Sequence, residues 1–334
     1  MEISRRNFVK GVAGGGLLLA TGVPTVEAAM SKELPPQAVG LLYDATLCVG
    51  CKACMVNCKK ANSVPGGALH SSRQQGVPYE KNHLPPEEKV WDAPTDLSGQ
   101  TLSIVKAYRH GSAETKDQAE NGYAYFKQQC LHCITPSCAS VCPAGAFRKD
   151  PENGVVYYLE EKCIGCRYCQ LACPFGVPRY EWQSAWPAVR KCQLCNHRYQ
   201  EGKYSACAET CPTGATIFGQ VTKLREEAQR RLTLEPGSEY AFPLQRVDAN
   251  ERVQRLVSRY EGVFGLKEAG GTQNLLLSGI SFDLLGFAGN IPDSALPDLT
   301  WAYIAKIPWV FAGVFLGGTA LYQITHRKDK GDKS

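Results

Sequence analysis

Sixteen cysteines dominate this chain of 334 residues, and they are grouped, not scattered. The first group is Cys48-x-x-Cys51-x-x-Cys54-x-x-x-Cys58, and the second is Cys130-x-x-Cys133-x-x-x-x-Cys138-x-x-x-Cys142-Pro143. The third is Cys163-x-x-Cys166-x-x-Cys169-x-x-x-Cys173-Pro174. The fourth opens its middle, with Cys192-x-x-Cys195 separated from Cys207-x-x-x-Cys211-Pro212. The third group is the bacterial two-cluster ferredoxin run letter for letter, and the first lacks only the closing proline. The spacing suits a cuboidal 4Fe–4S cluster. Three cysteines on a tight loop wrap three corners, and the fourth, about one helical turn on, points away toward a second cluster. Proline after it restrains the departing backbone, while Gly50 and Gly165 let the loops pass close to inorganic sulfide. The expectation is four 4Fe–4S clusters, with iron held through all sixteen thiols.

Other chemistries fit less well. A closed zinc site takes two Cys-x-x-Cys pairs and has no use for the intervening third cysteine. Cysteines three apart on a tight loop make strained disulfide partners. Covalent haem needs Cys-x-x-Cys-His, and Asn196 separates Cys195 from His197. His132 lies between two ligands and reads as an exposed neighbour or a tuner of potential; His70, His83, His110 and His197 read as surface residues. There is no Ser–His–Asp set, glycine-rich phosphate cradle or paired-carboxylate site. No catalytic residue and no small-molecule substrate are therefore expected, and the chain reads as a non-catalytic carrier of electrons.

Because the fourth cysteine of each group crosses over, the groups must be paired, and spacing alone leaves two schemes. Sequential pairing joins the first group with the second and the third with the fourth; nested pairing joins the second with the third and the first with the fourth. The gaps favour nesting, since the stretch from Cys142 to Cys163 is short and that from Cys58 to Cys130 is long. An internal repeat, Cys-Pro-Ala-Gly-Ala at 142–146, recurs as Cys-Pro-Thr-Gly-Ala at 211–215.

Short strands must frame these loops. Leu41–Tyr43 leads into the first, Tyr123–Phe126 into the second and Val155–Leu159 into the third, while Thr216–Phe218 leaves the fourth. Asn153-Gly154 is a hairpin turn signal, and Thr101–Tyr108 reads as a further strand. Residues 59–100 are Pro-, Gly- and polar-rich and read as loop; Val221–Leu232 reads as a surface helix. The resulting division is a signal peptide at 1–29, the first cluster motif with its insertion at 38–125, and a central two-cluster ferredoxin module at 126–180. The fourth motif at 181–232 completes an outer module. Residues 233–300 show no periodicity and read as an extended covering segment, ahead of an anchor at 303–326 and a tail at 327–334.

Both ends carry an address. Ser4-Arg5-Arg6-Asn7-Phe8-Val9-Lys10 precedes an apolar, glycine-rich run and a small-residue cleavage site, a twin-arginine export signal. That route exports folded, loaded proteins and so shields the thiols from an oxidising compartment. At the other end, Ile307 to Ile324 bears no charge and at 1.5 Å per residue covers about 27 Å, enough for a bilayer core. Trp301, Tyr303, Trp309 and Tyr322 suit the interfaces, and His326-Arg327-Lys328 places the C-terminus in the cytoplasm. Gly313, Gly317 and Gly318 suit packing against another membrane helix. The alternative is a buried core helix. The net charge of +5 sits largely at the two ends, with no basic stripe between them, which excludes nucleic acid as a partner.

The order of the four motifs resembles the beta subunits of complex iron–sulfur enzymes such as formate dehydrogenase and dimethyl sulfoxide reductase. It is most similar to the HybA-type iron–sulfur subunits of membrane-bound periplasmic nickel–iron hydrogenase 2. The likeness is carried by Ser4-Arg5-Arg6-Asn7-Phe8, Tyr43-Asp44, Leu47-Cys48-Val49-Gly50-Cys51, Glu120-Asn121-Gly122-Tyr123-Ala124-Tyr125, Gly165-Cys166-Arg167-Tyr168-Cys169, Lys191-Cys192, Leu194-Cys195-Asn196 and Pro236-Gly237-Ser238-Glu239-Tyr240. It covers roughly residues 1–240. A twin-arginine signal on the beta subunit itself also favours the HybA type.

The resemblance implies an α+β fold: tandem ferredoxin-like, two bacterial two-cluster modules, nested, with loop-rich insertions and one C-terminal transmembrane helix. It implies ligand sets Cys48, Cys51, Cys54 and Cys211; Cys192, Cys195, Cys207 and Cys58; Cys130, Cys133, Cys138 and Cys173; and Cys163, Cys166, Cys169 and Cys142. Its implied partners are the hydrogenase small and large subunits, an integral membrane quinone-reducing subunit, and lipid through the C-terminal helix, at the periplasmic face of the inner membrane. The alternatives are the beta subunit of a formate dehydrogenase or another molybdenum or tungsten oxidoreductase, and, in another class, a membrane-anchored cysteine-rich metal-storage or structural protein.

Overall fold

The computed structural model describes residues 33–63, 96–99, 101–180 and 189–328, with side chains through 325. The export signal expected at 1–29, most of the segment 59–100 expected as loop and the tail beyond 328 lie outside the described residues.

A four-stranded sheet forms the centre, in the spatial order Gly262–Phe264, Leu275–Ser278, Val39–Asp44, Thr216–Gln220. Val39–Asp44 is buried at every position, as a strand covered on both faces is. It runs antiparallel to Thr216–Gln220, with Leu41 opposite Phe218, and parallel to Leu275–Ser278, with Leu42 opposite Leu275. Gly40 permits this crowding, since a Cβ there would lie 1.9 Å from the carbonyl oxygen of Gln273.

Within residues 233–300, read from sequence as an extended covering segment, the chain forms four strands. Glu239–Pro243 and Arg252–Leu256 make a hairpin, and Gly262–Phe264 and Leu275–Ser278 complete the central sheet. Leu275–Ser278 is wholly buried. Its run of three leucines carries neither a two-residue nor a 3.6-residue period, so alternation could not reveal it.

A second sheet places Gly122–Gln129 between Ser103–Arg109 and Thr115–Lys116. The strands expected at 101–108 and 123–126 fall on its two long members. Phe147–Lys149 and Val156–Tyr158 form a hairpin, turning through Gly154 at φ +73°.

The helix Val221–Thr233 covers the central sheet. Leu224 and Ala228, four apart and so on one face, pack with Leu42, Ile217, Leu275 and Leu277. Arg231 follows on the same side and has no exposed side-chain surface. Its Nη1 lies 2.8 Å from Asp44 Oδ2, its Nε 2.9 Å from Glu227 Oε1, and its guanidinium carbon 4.9 Å from the centre of the Phe242 ring. Tyr260 and Tyr240 hydroxyls donate to the same two carboxylates at 2.8 and 3.1 Å. Two carboxylates offset the cost of burying this charge. This network fastens the helix to the end of Val39–Asp44, where the first cysteine loop begins.

Leu296–Ile304 and Ile307–Lys328 close the chain. Leu296–Thr325 is the one helical stretch among the described residues long and apolar enough to cross a membrane, and none of its apolar window is buried against the rest of the chain. The buried core helix is thereby set aside. Pro308 occupies the first turn, where its missing N–H costs nothing. Ferredoxin-like, mixed α/β and followed by an apolar helix, the architecture exists to position loops.

Candidate iron–sulfur cluster sites

Two constructions of the same kind position the cysteines. In one, the strand Phe147–Lys149 leaves the second motif and pairs antiparallel with Val156–Tyr158, which leads into the third. In the other, Thr216–Gln220 leaves the fourth motif and pairs antiparallel with Val39–Asp44, which leads into the first. Short helices complete each construction. Ser137–Ser140 packs on Tyr168–Ala172, and Ala53–Ser63 packs on Ala206–Glu209. Helix Ala53–Ser63 therefore claims the first residues of the segment read as loop from 59.

The backbone of every loop bends at the same place. Two residues after the leading cysteine, Gly50, His132, Gly165 and Leu194 all adopt positive φ, between 52° and 71°. Only glycine does this without steric cost; the two exceptions are held there by their surroundings. The bend turns backbone N–H groups inward. Gly50 N–H donates to Cys48 Sγ at 3.4 Å, Leu194 N–H to Cys192 Sγ at 3.4 Å, Ala146 N–H to Cys142 Sγ at 3.2 Å and Thr216 N–H to Cys211 Sγ at 3.4 Å. Such donors stabilise negative charge on sulfur.

The thiols gather in neighbourhoods. Cys54 lies among Cys48, Cys211 and Cys207, with Cys51 exposed on the same loop. Cys58 lies among Cys192, Cys195 and Cys207. Cys133 has Cys173, Cys130 and Cys138 about it, and Cys169 has Cys163, Cys142 and Cys166. Three pairs link one neighbourhood to the next: Cys54 with Cys207, Cys192 with Cys130, and Cys138 with Cys169. One neighbourhood lines an enclosed pocket, where Cys58, Cys192, Cys195 and Cys207 meet Leu41, Leu194, Asn62 and Gln129.

These sites fit iron–sulfur clusters on the chemistry of the donors. All sixteen cysteines are free thiols, so the disulfide alternative is set aside. Among the described residues no three His, Cys, Asp or Glu side chains converge on one point as a single ion requires, which also disfavours mononuclear zinc. The thiols face inward N–H groups. Burial pushes them up: Cys195 to about 11, and Cys54, Cys192 and Cys169 to about 12. Thiolate therefore forms here only against the positive charge of bound metal, which couples loading to deprotonation.

Several contributors carried no cysteine signal. His132, expected to be exposed if it did not tune potential, is fully buried. Its Nδ1 accepts the Val156 N–H at 3.0 Å, tying the second loop to the strand before the third; burial drives its pKa well below the ordinary value. His197, expected on the surface, is half-buried, with Nε2 3.2 Å from the Ala61 carbonyl. His110 is exposed as expected, and His70 and His83 lie outside the described residues. Gln273 and Asn274 form a clamp. Gln273 Nε2 donates to the carbonyls of Val39 and Asn153 at 2.7 and 2.9 Å, and Asn274 Nδ2 donates to that of Cys130 at 2.7 Å. Asn153 in turn donates to Asn196 Oδ1 at 2.9 Å, beside the fourth loop. Nothing in the spacing of polar residues could have found this clamp, because its partners are distant in sequence. Two buried lysines, Lys127 and Lys191, likewise sit among the thiols.

Residues 122–221 match the 4Fe-4S dicluster domain family. The Hydrogenase-2 operon protein HybA of Escherichia coli O157:H7 is 41% identical over 290 residues, 85% of this chain and 83% of its own length. The chain belongs to the HybA family. Beyond HybA, a formate dehydrogenase iron–sulfur subunit of Haemophilus influenzae is 30% identical across 86% of this chain and 79% of its own length. The iron–sulfur subunit of the nitrate-inducible formate dehydrogenase of Escherichia coli K12 is 33% identical across 58% of each.

Proposed function

We propose that this protein is the electron-transfer subunit of a periplasmic, membrane-bound hydrogenase, holding four 4Fe–4S clusters and relaying electrons from hydrogen oxidation to an integral membrane subunit that reduces quinone. The observation that carries the reading is the unbroken succession of thiol neighbourhoods, joined by Cys54 with Cys207, Cys192 with Cys130, and Cys138 with Cys169. When bound, the clusters supply one-electron carriers; the chain itself holds, spaces and insulates them.

Nested pairing is supported by the two strand pairs that close each module and by the company each thiol keeps. On this reading Cys48, Cys51, Cys54 and Cys211 hold the first cluster, and Cys58, Cys192, Cys195 and Cys207 the second. Cys130, Cys133, Cys138 and Cys173 hold the third, and Cys142, Cys163, Cys166 and Cys169 the fourth. The thiols of the second are all buried, while the two ends approach solvent: Cys51 is exposed, and Ile164, Tyr168 and Leu171 stand out around the last loop. An electron wire needs this arrangement, with insulation in the middle and contact at its ends. Leu296–Ile304 touches Ser137–Ser140, so the second and third motifs lie toward the anchor. Export by the twin-arginine route, with the globular part on the periplasmic face, follows from Arg5-Arg6 and the basic residues after Thr325.

Purification in mild detergent without oxygen tests this. The expected result is about sixteen irons per chain, visible absorption bleached by dithionite, and a co-purifying nickel-containing large subunit with its small subunit. A molybdopterin-containing partner would favour the second reading, a formate dehydrogenase, to which the Haemophilus influenzae relative points. A colourless or iron-poor chain without partners would mark a structural or storage protein.

A further inference from the structure

Gly122–Gln129 runs past both thiol neighbourhoods of the outer module, and alternate residues of a strand share a face. Tyr125, Lys127 and Gln129 are those residues. The Tyr125 ring lies so close over the first loop that a Cβ on Gly50 would meet it at 2.5 Å. Gln129 lines the pocket of Cys58, Cys192, Cys195 and Cys207. Lys127 stands between them, opposite Val105 in the neighbouring strand, with only 1% of its surface exposed.

Among the described residues its ammonium meets no oxygen or nitrogen acceptor. The groups about it are sulfurs: Cys207, Cys54 and Cys192, with Cys58 also in range. A buried, unpaired ammonium is costly, so the negative charge that offsets it must come from the cluster sites. Lys191, the other buried lysine, differs: its Nζ donates to the carbonyls of Val156 and Cys192, and it lies by Cys133, Cys138 and Cys173.

We propose that Lys127 is a positioning charge for electron transfer: a fixed cation on the strand between the two outer-module clusters that makes both easier to reduce. It acts from the strand between the two neighbourhoods, with Cys207 and Cys54 both beside it, so an electron on either cluster meets its positive charge. The proposal rests on the four-cluster reading above. It involves no change in the protonation of Lys127.

Redox titration of the full-length protein, followed by electron paramagnetic resonance, tests it. The wild type must first show four reducible clusters and about sixteen irons per chain; fewer would overturn the four-cluster reading, not the role of Lys127. In Lys127→Met and Lys127→Gln, two of the four clusters should become harder to reduce, by tenfold to a hundredfold in their reduced-to-oxidised ratio at a given potential. That corresponds to about 60–120 mV for a one-electron couple. Lys127→Arg should restore both, and Lys191→Met should move a different cluster. Loss of iron from both neutral variants with retention in Lys127→Arg would equally support a need for charge. Potentials unchanged in the neutral variants, an equal shift in all four clusters, or loss of iron from all three Lys127 variants would overturn it.

Discussion

Each loop depends on single residues whose replacement has a calculable direction. Gly50 combines φ +69° with the Tyr125 ring against its α-carbon. Gly50→Ala should cost about 1–3 kcal/mol in backbone strain alone, before the ring is displaced. The expected outcome is selective loss of iron from the 48–54 loop, measured as iron per chain, with the other loops' resonance signals retained. His132 gives a pH dependence. Its folded pKa is depressed well below 6.5 by burial, and the Nδ1 that accepts from Val156 cannot do so once protonated. Stability from this group is present above pH 6.5 and lost as pH falls below it. Acid-induced iron release should therefore begin below about pH 6.5, and it should be shallower in His132→Gln, whose carbonyl can still accept. Identical acid profiles for the two proteins would refute this role.

At the level of elements, the loop-framing strands were legible because each is a short β-branched or aromatic run abutting a cysteine loop. Thr216-Ile217-Phe218 and Tyr123-Ala124-Tyr125-Phe126 are such runs, and helix Val221–Thr233 was legible from its period. Leu275–Ser278 was not, for want of any period, and neither were Gln273 and Asn274, whose partners lie more than a hundred residues away. Lys127 was hidden because a lysine in a strand reads as a solvent-facing residue until the strand's neighbours are known. Two predictions belong here. Arg231→Met should leave Asp44 buried without a cation, and Glu227 with only Arg230 at 4.0 Å, and cost about 3–5 kcal/mol, seen as a lowered thermal unfolding midpoint. Cys142→Ser should damage the cluster proposed at Cys163, Cys166 and Cys169, because its thiol keeps company with Cys169. Damage confined to the 130–138 loop would show that ligation is not crossed.

For the molecule as a whole, the helix from Ile307 onward buries no described side chain against the packed body. Stopping the chain after Ile304 should release a soluble protein with its iron content unchanged, checked by fractionation and iron analysis. Arg5→Lys with Arg6→Lys should leave a loaded protein in the cytoplasm.

The pairing of Val39–Asp44 with strands far along the chain fixes a sequence of events in time. A growing polypeptide has every cysteine of the inner pair of motifs in hand once residue 173 has left the ribosome. The first strand, however, waits with its first loop open until Thr216–Gln220 and then Leu275–Ser278 arrive on its two flanks. On the nested pairing proposed above, the outer sites would close after the inner ones, once Thr216–Gln220 has reached the first strand. A chain interrupted before residue 275 would carry an unfinished central sheet, and folding itself would report whether synthesis had been completed.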